Sequence, residues 1–300
     1  MNGIINVYKE PGFTSFDVVA KLRGIVGQKK IGHTGTLDPD AEGVLVVCLG
    51  NTTKLCEMIT DRDKEYTAEM ILGITTDTED ASGRVLKEQE VRVSEEEIRS
   101  AVTSFVGENK QVPPMYSALK KDGVRLYDLA RKGIEVEREA RDITIYNIDI
   151  ISVEIPKVTF RLTCSKGTYI RSLCRDIGEK IGCGAHMSKL IRNRVSGFTL
   201  DDAHTLGELQ NMKDNGVLEN AVIPVTSLFP GLSVFKTVED SDRLLYNGNP
   251  LSLKMVTPVK GKPDISDGEL IFILDSNNDL KGMFKFDKKR HMLAPYKMLL

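Results

Sequence analysis

A short, turn-rich segment that leads into an apolar run is the feature that most restricts how this chain can fold. Residues 32–43 read Gly-His-Thr-Gly-Thr-Leu-Asp-Pro-Asp-Ala-Glu-Gly, and the apolar run Val44–Leu49 follows directly. Glycine, proline and short polar side chains at this density predict a sharply turned loop rather than a solvated linker. The β-branched residues after it predict a buried strand. The loop can therefore hold Asp38 at the edge of a sheet, where functional side chains concentrate.

The same segment does not fit three familiar functional motifs. It has neither the spacing nor the Lys-Ser/Thr ending of a phosphate-binding loop. If an EF-hand began at Asp38, its twelfth position would be Leu49, where calcium requires a bidentate glutamate. No Gly-x-Ser-x-Gly nucleophile turn occurs in the chain. The loop must serve another chemistry.

Three segments show helical spacing of apolar residues together with signals for their ends. They are 16–26, the residues between Ser94 and Gly107, and 168–181. Ser15 is expected to cap the first helix. Ser94 and Glu97 form a capping box at the start of the second, and Gly107 is expected to end it.

Strands are predicted from runs of β-branched residues. These runs are 44–49, 67–73, 143–155 and 158–164. The third run shifts its apolar register near Asn147, which indicates a bulge. Because strands and helices mix without strict alternation, we expect an α+β fold with a central, largely antiparallel mixed sheet flanked by helices. Short strand-like runs separated by turns follow residue 230, so the expected domains are 1–230 and a small β-rich module at 231–300.

Composition excludes several classes of protein. With 41% hydrophobic and 28% charged residues in 300, the chain is not disordered throughout. No apolar run reaches the roughly 18–20 residues that cross a bilayer, and no basic segment precedes an apolar stretch at the start, so a cytoplasmic location is expected. The five cysteines include no Cys-x-x-Cys pair. Cys183 and His186 lie close together but lack the other ligands of a zinc site.

Positive charge is concentrated in two segments, although the net charge of the chain is −2. Residues 157–194 carry a net charge of +7, and residues 109–141 carry +3. Local clusters, rather than net charge, determine affinity for phosphates. We therefore expect these segments to contact nucleic acid.

Further motifs occur in the first 200 residues. They are Lys9-Glu-Pro-Gly-Phe-Thr-Ser15, Asp63-Lys-Glu-Tyr66, Thr76-Asp-Thr-Glu-Asp80, Val112-Pro-Pro-Met-Tyr-Ser-Ala-Leu-Lys120, Cys164-Ser-Lys-Gly-Thr-Tyr-Ile-Arg171-Ser-Leu-Cys-Arg-Asp-Ile-Gly178 and Gly182-Cys-Gly-Ala-His-Met-Ser-Lys-Leu190-x-Arg192. Together with the turn-rich segment, and in the same order, they resemble the motifs of the TruB-type pseudouridine synthases, which isomerise uridine 55 of tRNA. One departure is visible: Glu10 separates Lys9 from Pro11, where many relatives have Lys-Pro directly.

The resemblance implies an isomerase that breaks the N-glycosidic bond of a uridine in the T-loop of tRNA and rejoins the base through C5. It implies a pseudouridine synthase domain with an RNA-gripping insertion at about 109–141, and a PUA-like RNA-binding domain at 231–300. It implies no cofactor and no metal. The T-arm of tRNA is the expected partner, and a monomer without guide RNA or an obligate protein partner is expected.

The resemblance also assigns roles to single residues. Asp38 is the expected catalytic residue. Substrate-binding residues are Tyr66, Arg171, His33, Leu190 and Lys9, and RNA-contacting residues are Lys120, Lys121 and Arg125. The guanidinium of Arg171 would hold Asp38 through both carboxylate oxygens and keep it ionised. Asp40 and Arg175 are expected to be exposed residues of the turn and the helix surface.

Three other functions fit part of the sequence. A non-catalytic RNA-binding or RNA-folding protein could keep the same scaffold. An enzyme of the related guide-RNA-dependent branch would act on ribosomal RNA, but such chains typically bear long basic tails and lack the insertion. A glycosidase would need paired carboxylates, whereas the motif pairs Asp38 with an arginine.

Overall fold

The computed structural model describes residues 1–300, apart from the side chain of Glu239. Its helices are α1 Ser15–Val26, α2 Cys56–Thr60, α3 Glu95–Thr103, α4 Leu126–Ala130, α5 Ile170–Ile181, α6 Leu206–Asp214 and α7 Asp242–Tyr246. None of the helices in this described part of the chain is long and apolar enough to span a bilayer.

The strands fall into two large groups along the chain. Those before residue 200 are β1 Gly3–Lys9, β2 Ile31–His33, β3 Glu42–Leu49, β4 Lys64–Leu72, β5 Ile74–Thr76, β6 Val85–Glu88, β7 Gly107–Gln111, β8 Lys120–Lys121, β9 Val124–Arg125, β10 Arg141–Glu154, β11 Lys157–Cys164, β12 Ala185–Val195 and β13 Phe198–Thr199. Those after it are β14 Val234–Thr237, β15 Leu251–Ser252, β16 Val256–Lys260, β17 Leu270–Leu274, β18 Leu280–Asp287 and β19 Met292–Met298.

The larger sheet is mixed but mostly antiparallel, as the sequence predicts. Its strand order is β1-β3-β12-β4-β11-β10-β7, with β2 also paired to β3 and β13 to β12. The pairing of β3 with β12 is parallel, whereas the other pairings are antiparallel. Helices α3 and α5 pack against β4, β10 and β11 through one apolar cluster. Helices α1 and α6 pack against β1, β2 and β3 through another. The α+β fold class is thereby confirmed.

The first helix begins one residue earlier than predicted and has a different cap. Thr14, not Ser15, is the N-cap, and it forms a capping box with Asp17. Ser15 is buried, and its hydroxyl forms hydrogen bonds with the backbone carbonyl and N–H of Leu37. The predicted cap was therefore wrong, since the sequence does not show which of two adjacent hydroxyls faces the core.

Other predicted boundaries are close to those observed. The capping box of Ser94 and Glu97 is present at the start of α3. The helix ends at Thr103, however, and Gly107 with its positive φ of 111° begins β7 instead of ending the helix. The predicted bulge in β10 is found where the register shifts between Ile145 and Asn147.

The second sheet contains six strands in the order β15-β19-β18-β17-β14-β16. One side of it packs on β1 and β3 of the larger sheet through a shared apolar cluster. From the larger sheet this cluster includes Ile4, Val44 and Val46, and from the smaller one Val234, Phe272 and Met283. The β-rich C-terminal region therefore covers the face of β1 and β3 opposite to helices α1 and α6, and β3 is the strand that follows the turn-rich loop.

Candidate active site

Asp38 and Arg171 form an ion pair with two contacts. The Nε of Arg171 lies 3.0 Å from Oδ2 of Asp38, and Nη2 lies 3.2 Å from Oδ1. Asp38 is carried by the loop between β2 and β3, and Arg171 is the second residue of α5. The side chain of Arg171 is only 6% exposed, whereas that of Asp38 is 36% exposed. The arginine is therefore fixed in the interior and presents the carboxylate toward solvent-accessible space.

The rest of the Arg171 guanidinium is also occupied. Nη1 donates to the carbonyl of Thr78 at 3.2 Å and to Oδ2 of Asp80 at 3.3 Å. Nη2 donates to the carbonyl of Tyr116 at 2.8 Å. A planar group held on all sides cannot rotate, so the orientation of Asp38 is fixed as well. No role was predicted for Asp80 and Tyr116, although both lie within sequence motifs that resemble those of the family.

The pKa of the Asp38 carboxyl lies above its ordinary value. Burial of the group is the main cause, and the charge of Asp80 acts in the same direction. The guanidinium of Arg171 opposes the shift because it favours the ionised form. The ionisation of Asp38 thus depends on the position of Arg171.

Lys9 stabilises the loop that carries Asp38 by donating hydrogen bonds to backbone carbonyls. It is fully buried, and its Nζ donates to the carbonyls of Glu10 at 3.1 Å, Pro39 at 2.9 Å and Ala41 at 2.5 Å. Burial lowers the pKa of Lys9 to about 8, although the charge of Asp38 opposes this. The sequence predicts that Lys9 contacts substrate. The structure instead places its ammonium group against the backbone of the loop.

Arg192 also stabilises this loop through hydrogen bonds to backbone carbonyls. It is 2% exposed, and its guanidinium donates to the carbonyls of Val44 at 2.7 Å and Gly35 at 3.1 Å. Its backbone passes so close to Gly43, which has a φ of 106°, that a Cβ there would collide with it. Arg192 is the last residue of a family motif in the sequence, but no role was predicted for it, because an arginine on a strand rich in basic residues gives no sign of being buried.

Replacing Lys9 with methionine should destabilise the protein. Methionine has a similar volume but no donor, so three carbonyls of the loop would lose their partner. We expect the free energy of unfolding to fall by about 3 kcal/mol, since each unsatisfied buried group costs roughly 1–3 kcal/mol and the loop can partly relax. Chemical denaturation would measure this. Lys30→Met, which removes an exposed lysine, should change it by less than about 0.5 kcal/mol. Equal effects would show that the buried contacts contribute nothing.

Tyr66 and Leu190 lie on the adjacent strands β4 and β12, whereas His33 is on β2, which pairs with β3. Tyr66 on β4 and Leu190 on β12 are each 7% exposed and share an apolar cluster with Leu37, the residue before Asp38. Burial raises the pKa of the Tyr66 phenol, so it is neutral near pH 7. Burial and the charge of Arg192 lower the pKa of His33. The buried Tyr66 ring and Leu190 side chain therefore belong to the same apolar cluster as the residue before Asp38, and His33 lies near Arg192.

The positive segment 157–194 carries less free charge than its net charge of +7 indicates, and its contact with nucleic acid stays a prediction. Six of its cations form ion pairs with acidic residues: Lys157, Arg161, Lys166, Arg171, Arg175 and Arg194. Arg175 was expected on the helix surface, but its side chain is only 20% exposed and pairs with Glu79 and Asp176. Most of these partners come from distant parts of the chain, so counting charge along a segment overestimates what reaches the surface.

The basic residues of the insertion are more accessible. Lys120, Lys121 and Arg125 are exposed on the short β8–β9 hairpin, where Lys120 lies opposite Arg125. None of the three forms an ion pair within the described residues, although Nζ of Lys121 donates to the carbonyl of Glu137 at 2.7 Å. Asp40 is exposed as expected. No group of three or more His, Cys, Asp or Glu side chains that could hold a metal occurs among the residues described.

Two family models match the chain. The model described as TruB family pseudouridylate synthase (N terminal domain) matches residues 23–170. The model described as tRNA pseudouridylate synthase B C-terminal domain matches residues 171–229.

Curated relatives match over most or all of the chain. A tRNA pseudouridine synthase B of Lachnoclostridium phytofermentans is 49% identical over 308 aligned residues, covering 100% of both chains. A tRNA pseudouridine synthase B of Alkaliphilus oremlandii is 50% identical, covering 83% of this chain and 82% of its own.

Solved structures of similar fold are also found. A chain in a crystal structure of a Cbf5-Nop10-Gar1 complex has a TM-score of 0.71 at 28% identity, covering 99% of this chain and 85% of that one. A chain in a structure of an H/ACA RNP bound to a substrate RNA has a TM-score of 0.69 at 26% identity, with the same coverage.

Proposed function

Because the chain belongs to the TruB family of pseudouridylate synthases, and is itself a tRNA pseudouridine synthase, we propose that it modifies uridine 55 in the T-loop and that Asp38 is the catalytic residue. The two-contact ion pair of Asp38 with Arg171 is the observation that carries this proposal. It supplies an oriented carboxylate at an accessible position, which a purely RNA-binding scaffold would not need.

The reaction requires one carboxylate and no exchange of electrons. The bond between ribose C1′ and N1 of uracil breaks, the base turns, C5 bonds to C1′, the proton on C5 passes to solvent, and N1 takes up a proton. An ionised carboxylate can attack as a nucleophile, accept a proton or stabilise positive charge on the ribose. Arg171 favours that ionised form against the effect of burial. Asp38 therefore meets the requirement in each of these three roles.

Tyr66, Leu190 and His33 are proposed to receive the uridine. A base removed from folded RNA loses its stacking partners at a cost of a few kcal/mol, so the enzyme must replace them. The Tyr66 ring and the Leu190 side chain provide an apolar wall beside Asp38. His33, on the strand that enters the loop, is proposed to fill the space that the nucleotide vacates or to contact its phosphate.

The insertion at 109–141 and the C-terminal module at 231–300 are proposed to hold the rest of the tRNA. The insertion offers exposed cations on its hairpin, and the module contains a six-stranded sheet, which supports the PUA-like assignment that the resemblance implies. We propose that the enzyme acts as a monomer on the T-arm, without a guide RNA or an obligate protein partner. The relatives at 49–50% identity are named as tRNA enzymes, which favours this over action in a guide-RNA complex.

Release of tritium from a tRNA transcript labelled at C5 of uridine tests the function. The purified protein alone, with no guide RNA added, should release tritium, and mapping should place pseudouridine at position 55. Release with the product at another position would contradict the proposed target. No release at all would contradict the proposal that the chain acts unaided on tRNA.

Removing Lys120, Lys121 and Arg125 together should make tRNA binding less sensitive to salt. Each phosphate contact contributes about 0.7–0.9 to the slope of log affinity against log salt, so the slope should fall by about 2. Filter binding from low to high salt would measure it. Removing Lys29, Lys30 and Lys54, three exposed lysines outside the insertion, causes the same change in net charge. Equal slopes for the two triple variants would show that the hairpin does not contact RNA.

A further inference from the structure

The helix that carries Arg171 lacks the local cap that the other long helices have. Helices α1, α3 and α6 each begin with a complete capping box in their own sequence. Helix α5 begins after Tyr169, whose side chain makes no capping hydrogen bond. The first backbone groups of a helix have no partners within it and need them from elsewhere. Residues outside α5 must therefore supply hydrogen-bond partners for its first turn.

Gln111 provides this contact. It is 3% exposed, and its Oε1 accepts a hydrogen bond from the Tyr169 N–H at 2.8 Å. Its Nε2 donates to the Tyr169 carbonyl at 3.0 Å, and the same carbonyl accepts the helical hydrogen bond from the Leu173 N–H. One amide side chain therefore fixes both backbone groups of the residue two positions before Arg171.

Gln111 also stands where the insertion leaves the sheet. It is the last residue of β7, and the next residues contact α5 twice more. The Val112 carbonyl accepts from Arg175 at 3.3 Å, and the Tyr116 carbonyl accepts from Arg171 at 2.8 Å. The base of the insertion is thus joined at three points to the residue before α5 and to the first half of the helix.

We propose that Gln111 is a positioning residue that replaces the missing cap of α5 and so sets the place of Arg171 against Asp38. It does not itself contact substrate. The inference rests on the proposed roles of Asp38 and Arg171. Without the amide, the first turn of α5 loses its outside partner, and Arg171 loses the geometry that keeps Asp38 oriented and ionised.

Gln111→Leu, which has a similar size but no hydrogen-bonding groups, tests this in the full chain. Single-turnover tritium release should fall by about 10- to 100-fold, because a misplacement of about 1 Å at a catalytic group costs on the order of 10²-fold. The affinity for tRNA should change by less than about threefold. Gln89→Leu is the matched control, since the Gln89 amide donates to the Gly182 carbonyl at the opposite end of α5. It should retain the wild-type rate.

The pH dependence separates positioning from general destabilisation. Arg171 favours the ionised form of Asp38, so a displaced Arg171 lets the pKa of Asp38 rise. The acidic limb of the rate profile should therefore move to higher pH in Gln111→Leu and stay in place in Gln89→Leu. If Gln111→Leu does not fold, Gln111→Asn, whose amide is one carbon shorter, should show the same shift with a smaller loss of rate.

A wild-type rate with an unmoved acidic limb in a folded Gln111 variant would overturn the inference. Equal losses in the Gln111 and Gln89 variants would overturn it too, because they would indicate a general weakening of α5. A failure of the proposed function is distinguishable, since it would appear as a wild-type protein that releases no tritium.

Discussion

Asp38→Asn should reduce single-turnover tritium release by about 10³-fold or more while tRNA affinity stays within about twofold. Asparagine keeps the size and can still accept a hydrogen bond from Arg171, but it cannot attack, accept a proton or carry negative charge. Because Asp38 contacts an arginine and not the exposed cations of the hairpin, phosphate recognition should not depend on its charge. Rapid-quench tritium release and filter binding on the same preparation would measure the two effects.

Asp40→Asn is the matched control for this change. It lies in the same loop two residues later, is exposed, and removes the same charge. It should keep a rate within a fewfold of wild type. If Asp38→Asn turned over as fast as Asp40→Asn, the catalytic carboxylate would have to be sought elsewhere, and Asp80, which also contacts Arg171, would be the first residue to examine.

Arg171→Lys should reduce the single-turnover rate by about 10²-fold although the positive charge is kept. The guanidinium contacts both oxygens of Asp38 and also the carbonyls of Thr78 and Tyr116. An ammonium on a flexible stem cannot make these contacts at once, so Asp38 could stay ionised and yet turn away from the ribose. Single-turnover kinetics with saturating enzyme would show the loss, and tRNA affinity should be nearly unchanged.

The same substitution should also lower stability, because Arg171 is buried. Two backbone carbonyls would lose a donor, which costs about 1–3 kcal/mol in the free energy of unfolding. Arg161→Lys, at a side chain that is 54% exposed, is the control and should leave rate and stability near wild type. A near-normal rate in Arg171→Lys would mean that the arginine acts as a positive charge alone, and that the two-contact geometry is unimportant.

Features that depend on neighbours in sequence could be predicted well. The capping box of Ser94 and Glu97 spans one helical turn, and the bulge near Asn147 follows from a shift in the apolar pattern of a single strand. The turned loop at 32–43 and the buried strand after it are likewise local properties of glycine, proline and β-branched residues. The α+β class follows from the order of such elements along the chain.

Features that depend on contacts between distant parts of the chain could not be predicted from the sequence alone. Asp38 and Arg171 are separated by 133 positions, and their pairing was expected from the motif resemblance, not from spacing. Local rules predicted Ser15 as the cap instead of Thr14, because only the hydrogen bonds of Ser15 with the distant Leu37 backbone decide which hydroxyl is buried.

The basic residues show most clearly the difference between features that depend on sequence neighbours and features that depend on distant contacts. The number of cations in 157–194, the loop that carries Asp38 and the helix that carries Arg171 can all be read from the amino-acid order. The folded chain is needed to show that Arg175 pairs with Glu79, that Arg192 is buried against the loop, and that Lys9 donates hydrogen bonds to the loop backbone. The physical reason is that an ion pair or a buried hydrogen bond depends on distance in space, which a one-dimensional pattern fixes only within about one helical turn or between adjacent residues of a strand.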